Sequence, residues 1–413
     1  ALFGTISGSS TANVFATGSF TIPAMIKLGY RRAFAGGVEA ASSVGGQIMP
    51  PIMGAGAFVM AEITQIPYSK IIIAATIGAL CYFFMILISV HFEAKRLRLA
   101  GCDPSEIPTW RTVAADLHLL LPVVVLMWLM FENYSPEFSA FWATVSILPS
   151  SWLRKSTRLY PTDVWRMLAN GGKNMTIVAL ACAGAGMFVA CLTVTGVIIS
   201  MSTVITKLAG GSIMISGALL MFVTIILGMG VPTTAAYIIG ASIGAPILIK
   251  LGVPVLAAHM FIFYFSILAD ATPPVSVASY AAASIAKADP MEVGLVAFKL
   301  AIAAFVIGFS YLYTPALLMQ GPWSEILGQL TVNLLGLTLM AAGFFGYFRG
   351  DLNGPLRAVL VVVGLGLVLL EAVDKPVFGI NVGNLWARIV IEIVIMGLLF
   401  MLGRPARKVP VPG

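Results

Sequence analysis

The sequence predicts an all-α polytopic membrane protein whose core is an inverted repeat of two re-entrant hairpins and two broken helices. Two observations lead to this prediction. Hydrophobic residues make up 59% of the chain and charged residues only 10%, with a mean hydropathy of +0.98, whereas a soluble domain carries about 25% charged residues. The chain also contains one segment twice, 223 positions apart and without a gap.

The duplicated segment has a specific pattern of glycine, proline and hydroxyl residues. The recurring positions, each followed by its copy, are Thr11 (Thr234), Ala12 (Ala235), Ser19 (Ser242), Pro23 (Pro246), Ile26 to Gly29 (Ile249 to Gly252), Pro50-Pro51 (Pro273-Pro274) and Pro67 (Pro290). A duplicated unit of apolar helices that Gly and Pro interrupt is typical of the binding site of a secondary transporter. The repeat therefore favours that function class.

The apolar stretches predict a series of membrane segments, because about 20 apolar residues span a bilayer as a helix and shorter runs can be re-entrant. We expect hairpins over 1–27 and 213–251, broken helices over 34–65 and 255–286, and further segments over 68–92, 117–132, 138–152, 174–201, 291–319, 330–348, 355–373 and 385–403. An odd number of crossings between the two hairpins predicts that the repeats have opposite orientations.

The basic residues support this topology. Most Lys and Arg residues fall in loops on one predicted side, including Arg31, Arg32, Lys95, Arg96, Arg98, Arg154, Lys155, Arg349 and Arg357. The positive-inside rule assigns that side to the cytoplasm. The net charge of +7 is thus explained by cytoplasmic loops in a lipid bilayer, and no nucleic-acid partner is needed.

Two hairpin tips and two helix breaks carry the candidate chemistry. The first tip covers Gly8 to Thr11 and contains several hydroxyl side chains within a predicted membrane segment. The second tip covers Gly230 to Thr234. Irregular backbone at that depth persists only where it is buried in protein or lines a cavity. Hydroxyl oxygens suit a cation, and the N-terminus of the half-helix that follows suits an anion.

The breaks at Pro50-Pro51 and Pro273-Pro274 remove two N–H donors each, so upstream carbonyls are free to bind a cation. Asp270, three residues before the second pair, is a carboxylate in a membrane segment and hence a functional candidate as a sodium ligand or proton carrier. Glu39 and Glu62 are interpreted as packing or surface residues, and Lys299 as a residue that snorkels to the interface or forms a structural ion pair.

No enzyme signature is found in the sequence. The chain has no P-loop, and its four cysteines show no metal-binding spacing. An intramembrane serine hydrolase built from Ser9 or Ser10 with His259 would leave the repeat unexplained. A channel would need a continuous polar stripe along several helices, and the sequence contains only two polar clusters.

These motifs resemble the large membrane subunit of tripartite ATP-independent periplasmic (TRAP) transporters. The resemblance rests on Ser7 to Asn13, Gly29-Tyr30, Gly46 to Pro51 and Thr272 to Pro274. It covers about residues 1–319, and it is closer to the TAXI-associated branch, in which the small and large membrane subunits are often fused. We therefore expect that the chain is truncated at its N-terminus and that it lacks one hairpin arm together with that small membrane subunit.

The resemblance implies a sodium-coupled importer of organic acids that works by an elevator mechanism in a bacterial or archaeal inner membrane. An extracytoplasmic TAXI-type binding protein would deliver the substrate; the alternative is a Na⁺/carboxylate symporter that needs no binding protein. The implied substrate-binding residues are Ser9, Ser10, Thr11, Asn13, Thr233 and Thr234. The implied Na⁺ ligands are Ser7, Ser10, Gly46, Pro50, Thr234, Asp270 and Thr272.

The predicted organisation has four parts. Residues 1–92 form the first transport-domain repeat, 93–212 connecting and scaffold helices, 213–319 the second inverted repeat, and 320–413 extra C-terminal membrane helices. One departure from the family stands in the first tip, where many members carry an Asp and this chain has Asn13. The candidate site also contains no Arg, so a substrate carboxylate must be met by helix N-termini, hydroxyls and bound Na⁺.

Overall fold

The computed structural model describes residues 3–102 and 109–369, with residues 389–390, 393–394 and 397 beyond them. The described chain is helical throughout. Its α-helices are α1 (Gly4–Ser7), α2 (Ser10–Lys27), α3 (Arg32–Gly45), α4 (Ala55–Thr64), α5 (Tyr68–Leu97), α6 (Trp110–Ala115), α7 (Leu121–Phe131), α8 (Pro136–Trp152), α9 (Pro161–Val194), α10 (Val197–Ala209), α11 (Ile213–Gly228), α12 (Thr233–Lys250), α13 (Val255–Leu268), α14 (Val277–Ala286), α15 (Pro290–Tyr311), α16 (Trp323–Phe345) and α17 (Gly354–Leu369).

The sequence repeat is also a structural repeat. Helix α12 begins and ends 223 residues after α2, and α13 begins and ends 223 residues after α3. The turns that link them match as well, because Gly29 and Gly252 both have positive φ, at 102° and 93°. The 223-residue offset of the sequence is therefore repeated in the helices, and each repeat has a tip before its first long helix, α2 or α12.

Both predicted helix breaks are present. Helix α3 ends at Gly45 and α4 begins at Ala55, while α13 ends at Leu268 and α14 begins at Val277. The proline pair in each break contains a cis peptide bond. Because each break follows a buried half-helix, its irregular backbone lies inside the protein, as membrane depth requires.

The two repeats pack crosswise. Helix α14 of the second repeat lies against α2 and α3 of the first, and α4 of the first lies against α12 and α13 of the second. Helix α13 is at the centre, with every residue from Leu256 to Leu268 buried. The half-helices of each repeat are thus covered by helices of the other repeat. The two breaks and the two tips therefore lie close together.

Several helices are long and apolar enough to cross a membrane. Among the described residues these are α5, α12, α15 and α16, and the second half of α9 joins α10 across a 73° bend. Helices α7 and α8 are shorter and pack against each other as a helical hairpin. The chain is therefore a multi-pass membrane protein.

Two predicted segments have different boundaries in the structure. The segment expected over 174–201 covers the second half of α9 and the start of α10. Helix α9 starts at Pro161, where the Asp163 carboxylate accepts a hydrogen bond from the Tyr160 N–H at 3.1 Å. It ends at Val194, where Gly196 at φ 70° breaks the chain direction. The segment expected over 291–319 ends at Tyr311, ahead of Pro315.

The C-terminal helices are attached to the repeat core through α5. Helix α16 packs against both α5 and α17, and α17 also touches α15. The predicted crossings over 330–348 and 355–373 correspond to α16 and α17. The last predicted crossing, over 385–403, lies almost entirely outside the described residues.

The tight packing around Gly78 in α5 leads to a prediction about the stability of the protein. A Cβ at Gly78 would lie 1.9 Å from the Tyr311 hydroxyl oxygen and 2.5 Å from that of Tyr264, and these two buried hydroxyls are hydrogen-bonded at 2.9 Å. We expect Gly78→Ala to lower the free energy of unfolding by about 1–3 kcal/mol through overpacking. Thermal unfolding of the detergent-purified protein measures this.

The matched control is Gly171→Ala in α9, where a Cβ meets nothing within 4 Å. That change is expected to be neutral or to stabilise by up to about 1 kcal/mol, because alanine is the better helix former. Equal unfolding temperatures for the two variants would contradict the packing described around Gly78.

Candidate functional site

The two hairpin tips and the two helix breaks enclose one cavity of about 470 Å³. The first tip contributes Gly8 to Thr11, and the second contributes Gly230 to Thr234. The remaining lining residues are Ile52, Met53, Ala55, Phe58, Asp270 and Val277. A volume of this size is typical of a small-molecule binding site, so the duplicated elements of the sequence build one shared pocket.

Four helices point their N-termini at this cavity. Ser10, Ala55, Thr233 and Val277 are the first residues of α2, α4, α12 and α14, and all four belong to the lining. The first N–H groups of a helix have no partner within the helix, and the helix dipole places partial positive charge there. The cavity is thus suited to an anion, although no Lys, Arg or His is found among the described residues that line it.

Asp270 carries the charge of the cavity and joins the two repeats. Its Oδ2 accepts a hydrogen bond from the Ser10 hydroxyl at 2.6 Å, across 260 positions of sequence. The Asp270 carbonyl accepts from the Ala278 N–H at 3.3 Å, which ties the break to the start of α14. A residue of the second break is therefore held by the first hairpin tip.

Gln47 is a site residue that the sequence analysis missed. It occupies the position in the first break that Asp270 occupies in the second, 223 residues later. Its side chain is fully buried beside the Asp270 carboxylate, close enough to contribute a hydrogen bond to it, and its amide oxygen has no hydrogen-bond partner among the described residues. Because Gln47 is fully buried and is not among the described lining residues, it lies behind the wall of the cavity.

The repeat offset could have identified Gln47, since it maps Asp270 directly onto this position. The apolar lining residues Ile52, Met53 and Phe58 were also missed. Their sequence carries no polar signal, and only the crosswise packing of α4 brings them to the cavity. The side chain of Ser7, a predicted sodium ligand, lies outside the described part of the chain.

The predicted site residues separate into two groups. Ser9, Ser10, Thr11, Thr233, Thr234 and Asp270 line the cavity. Asn13, Gly46, Pro50 and Thr272 do not. The Asn13 side chain is buried and donates to the Ser43 carbonyl at 3.3 Å, Gly46 packs tightly on Gly4, and the Thr272 hydroxyl donates to the Leu268 carbonyl at 2.7 Å. Their predicted roles remain predictions.

His259 lies apart from the cavity. Its Nδ1 is 2.7 Å from the Tyr237 hydroxyl in a buried pair between α12 and α13, and the ring does not line the pocket with Ser9 and Ser10. A serine hydrolase arrangement of these residues is therefore absent from the described structure. Nor does this part of the chain contain a cluster of His, Cys, Asp or Glu with metal-binding geometry.

Taken together, the helices and the cavity define a class: a multi-pass membrane protein with a duplicated, broken-helix core around one anion-attracting pocket. The family model described as the DctM component of the tripartite ATP-independent periplasmic transporter matches residues 1–319, and the chain belongs to this family. This confirms the resemblance seen in the sequence, and the homologues are transporter permeases rather than enzymes.

Three curated relatives are similar over part of their length. The C4-dicarboxylate TRAP transporter large permease DctM of Pseudomonas aeruginosa is 26% identical over 277 residues, 66% of this chain and 64% of the relative. The isethionate TRAP transporter permease DctMQ of Oleidesulfovibrio alaskensis is 25% identical over 328 residues, 77% of this chain and 50% of the relative.

The C4-dicarboxylate large permease DctM of Vibrio cholerae is 27% identical over 149 residues, 35% of this chain and 32% of the relative. The matched part of this chain thus spans at most about two thirds of the length of each relative.

The contact of Gly8 with the first helix break leads to a prediction about the stability of the first tip. Its φ is +64°, and a Cβ there would lie 3.5–3.6 Å from backbone atoms of Met53, Gly54 and Ala55. We expect Gly8→Val to lower the unfolding temperature of the purified protein, because the added methyl groups meet that backbone and the positive φ is strained.

The control is Gly230→Val in the second tip, where φ is +78° and a Cβ meets nothing within 4 Å. Both variants have the same backbone penalty of about 1–2 kcal/mol, because a valine is strained at positive φ. Any additional loss of stability in Gly8→Val is therefore due to the contact between the first tip and the first break. If the two variants lose equal stability, the described contact is absent.

Proposed function

We propose that this chain is the large permease subunit of a sodium-coupled importer of organic acids in the cytoplasmic membrane. A binding protein outside that membrane delivers the substrate, and a small membrane subunit completes the transporter. The observation that carries the proposal is the convergence of four helix N-termini on a cavity with no basic side chain among its described lining residues. Membership of the TRAP large-permease family supports the same conclusion.

An organic anion fits this cavity by its charge and its polar contacts. The N–H groups at the starts of α2, α4, α12 and α14 attract a carboxylate, and the Ser9, Thr11 and Thr233 hydroxyls add hydrogen-bond partners along both tips. The relatives named for C4-dicarboxylate and isethionate transport indicate acidic substrates of this size. Isethionate, dicarboxylates, 2-oxoacids and glutamate are the candidates.

Sodium coupling is supported by the oxygens around Asp270. The carboxylate and the Ser10 hydroxyl bonded to it line the cavity, and the buried Gln47 side chain lies behind them, next to the carboxylate. A hard cation prefers oxygen ligands of these kinds. Sodium carried here as a co-substrate would place positive charge beside the organic anion, so each ion favours the binding of the other.

An elevator mechanism is supported by how the helices group. The tips and breaks form one packed unit of α2, α3, α4, α12, α13 and α14. Helices α5 and α15 lie on one side of this unit, where both contact α3, and α16 and α17 pack against α5 and α15 in turn. A rigid unit that carries the whole cavity can move against such neighbours without rebuilding the site. This grouping leaves out α5, which the predicted first repeat includes, and α11 and α15, which the predicted second repeat includes.

Uptake of labelled organic acids into proteoliposomes tests the proposal. The complete transporter is reconstituted with and without an inward Na⁺ gradient, and with and without its binding protein. We expect uptake only when both are present. Uptake that needs Na⁺ alone would establish a symporter that needs no binding protein, and uptake that is independent of any ion gradient would contradict sodium coupling. Single-channel currents would establish a channel instead.

Substitutions at the cavity test the site itself. Asp270→Asn removes the charge beside Ser10, and we expect sodium-dependent uptake to fall about tenfold or more, since a hydrogen bond to a charged group contributes about 1.5–3 kcal/mol. Thr234→Val removes a neutral hydroxyl, and a loss of about two- to tenfold in apparent affinity is expected. Initial uptake rates at several Na⁺ concentrations measure both effects.

Matched controls are Glu62→Gln, an exposed carboxylate outside this cavity, and Thr331→Val, an exposed hydroxyl on α16. Both controls are expected to retain wild-type uptake, and all four variants are expected to insert into the membrane. Wild-type sodium dependence in Asp270→Asn and Thr234→Val would refute the assignment of the site.

A further inference from the structure

A second, smaller cavity contains a group of charged residues that transport does not use. It has a volume of about 130 Å³ and lies where the start of α3, the end of α5, the middle of α15 and the junction of α16 and α17 meet. Its charged lining residues are Arg31, Glu93, Arg96, Lys299 and Arg357. Four basic groups against one carboxylate give it a net positive charge.

Glu93 organises the cavity from a fully buried position. Its Oε1 accepts a hydrogen bond from Arg96 at 2.9 Å and one from Arg31 at 3.3 Å. The Arg31 side chain is 60% exposed and that of Arg96 is 31% exposed, whereas that of Glu93 is 1% exposed. The carboxylate therefore holds two guanidinium groups at the mouth of the cavity.

Two polar atoms in this cluster have no partner in the described protein. They are the second carboxylate oxygen of Glu93, which is an acceptor, and the Nε–H of Arg96, which is a donor. Buried polar groups are normally hydrogen-bonded, and leaving one unpaired costs about 1–3 kcal/mol. A ligand that offers both a hydroxyl and an anionic oxygen would satisfy both atoms at once.

The other two basic residues complete an anion site. Lys299 lies within α15 and is exposed, and within the described residues it makes no ion pair. Arg357 donates through Nε and Nη2 to the Gly343 and Phe344 carbonyls at the end of α16, at 2.9 and 2.8 Å. Its charge is thus fixed beside the cavity. The sequence did not indicate that Lys299 belongs to a cluster of basic residues around one cavity.

The surroundings of the cavity are those of a membrane boundary. Arg31 and Arg96 belong to the basic loops that the positive-inside rule assigns to the cytoplasmic side. Apolar walls from Phe34, Val296 and Phe344 line the same pocket. Basic pockets between membrane helices on the cytoplasmic side are suited to anionic lipid headgroups, and about 130 Å³ exceeds the roughly 30 Å³ that one water occupies.

We propose that this cavity binds the glycerophosphate headgroup of an anionic lipid. The phosphate accepts from Arg31, Arg96 and Lys299, and a glycerol hydroxyl donates to the free oxygen of Glu93. The site joins two parts of the chain, because α16 and α17 lie beyond the residues that match the family model. A bound lipid therefore holds these helices to the family core.

Lipid binding to the delipidated whole protein in detergent tests the proposal. Native mass spectrometry gives the dissociation constants for phosphatidylglycerol, for phosphatidylmethanol, which has the same charge and no headgroup hydroxyl, and for neutral phosphatidylcholine. We expect the order of affinity to be phosphatidylglycerol, phosphatidylmethanol, phosphatidylcholine. Lys299→Gln should weaken phosphatidylglycerol binding about tenfold, through the loss of one charge-assisted contact.

The control is Lys155→Gln, which removes the same charge from the same predicted side of the membrane, away from the cavity. Its lipid affinity should match that of the wild type. Equal affinities for phosphatidylglycerol and phosphatidylcholine, or an unchanged affinity in Lys299→Gln, would overturn the site. Displacement of the lipid by soluble glycerol phosphate at equal concentration would assign the site to a free phosphate ester and overturn the lipid assignment.

Discussion

The structure depends on one constraint: polar backbone at membrane depth must find its partners within the protein. Each repeat breaks a buried helix and turns a hairpin at a tip, so each leaves N–H and C=O groups that lipid cannot satisfy. The solution is crosswise packing, in which the half-helices α4 and α14 each lie against the opposite repeat. The polar helix ends of the two repeats therefore lie next to one another inside the protein, and the cavity is formed between them.

In the proposed function, the cavity attracts an anion through the backbone, since its described lining holds no basic side chain. Four helix N-termini supply partial positive charge at fixed positions, and they need no flexible cation that would have to be desolvated when the substrate binds. The single lining carboxylate, Asp270, is held by Ser10 at 2.6 Å. In the proposed function, anion attraction and cation binding are thus separate roles of neighbouring atoms in one pocket.

Much of this arrangement could be predicted from the sequence, because the repeat is exact in spacing and the breaks are marked by proline. The bounds of α2, α3, α12 and α13 follow the 223-residue offset. Side-chain direction could not be predicted: Asn13 stands three residues after Ser10 in the same motif, yet it faces α3 rather than the pocket. The charged cavity around Glu93 could not be found either, because five separate helices contribute to it and none carries a motif.

The pairing of Gln47 with Asp270 shows how a duplicated site becomes unequal. The two residues hold equivalent places in the two breaks, and their side chains lie side by side. Had both copies kept an aspartate, two like charges would share one site and one of them would be forced to take up a proton. Glutamine keeps a carbonyl oxygen at that place and removes the repulsion. The two repeats thus share the same backbone arrangement, but only the second repeat carries a negative charge at this position. The charge distribution of the site is therefore asymmetric although its helices are related by the repeat.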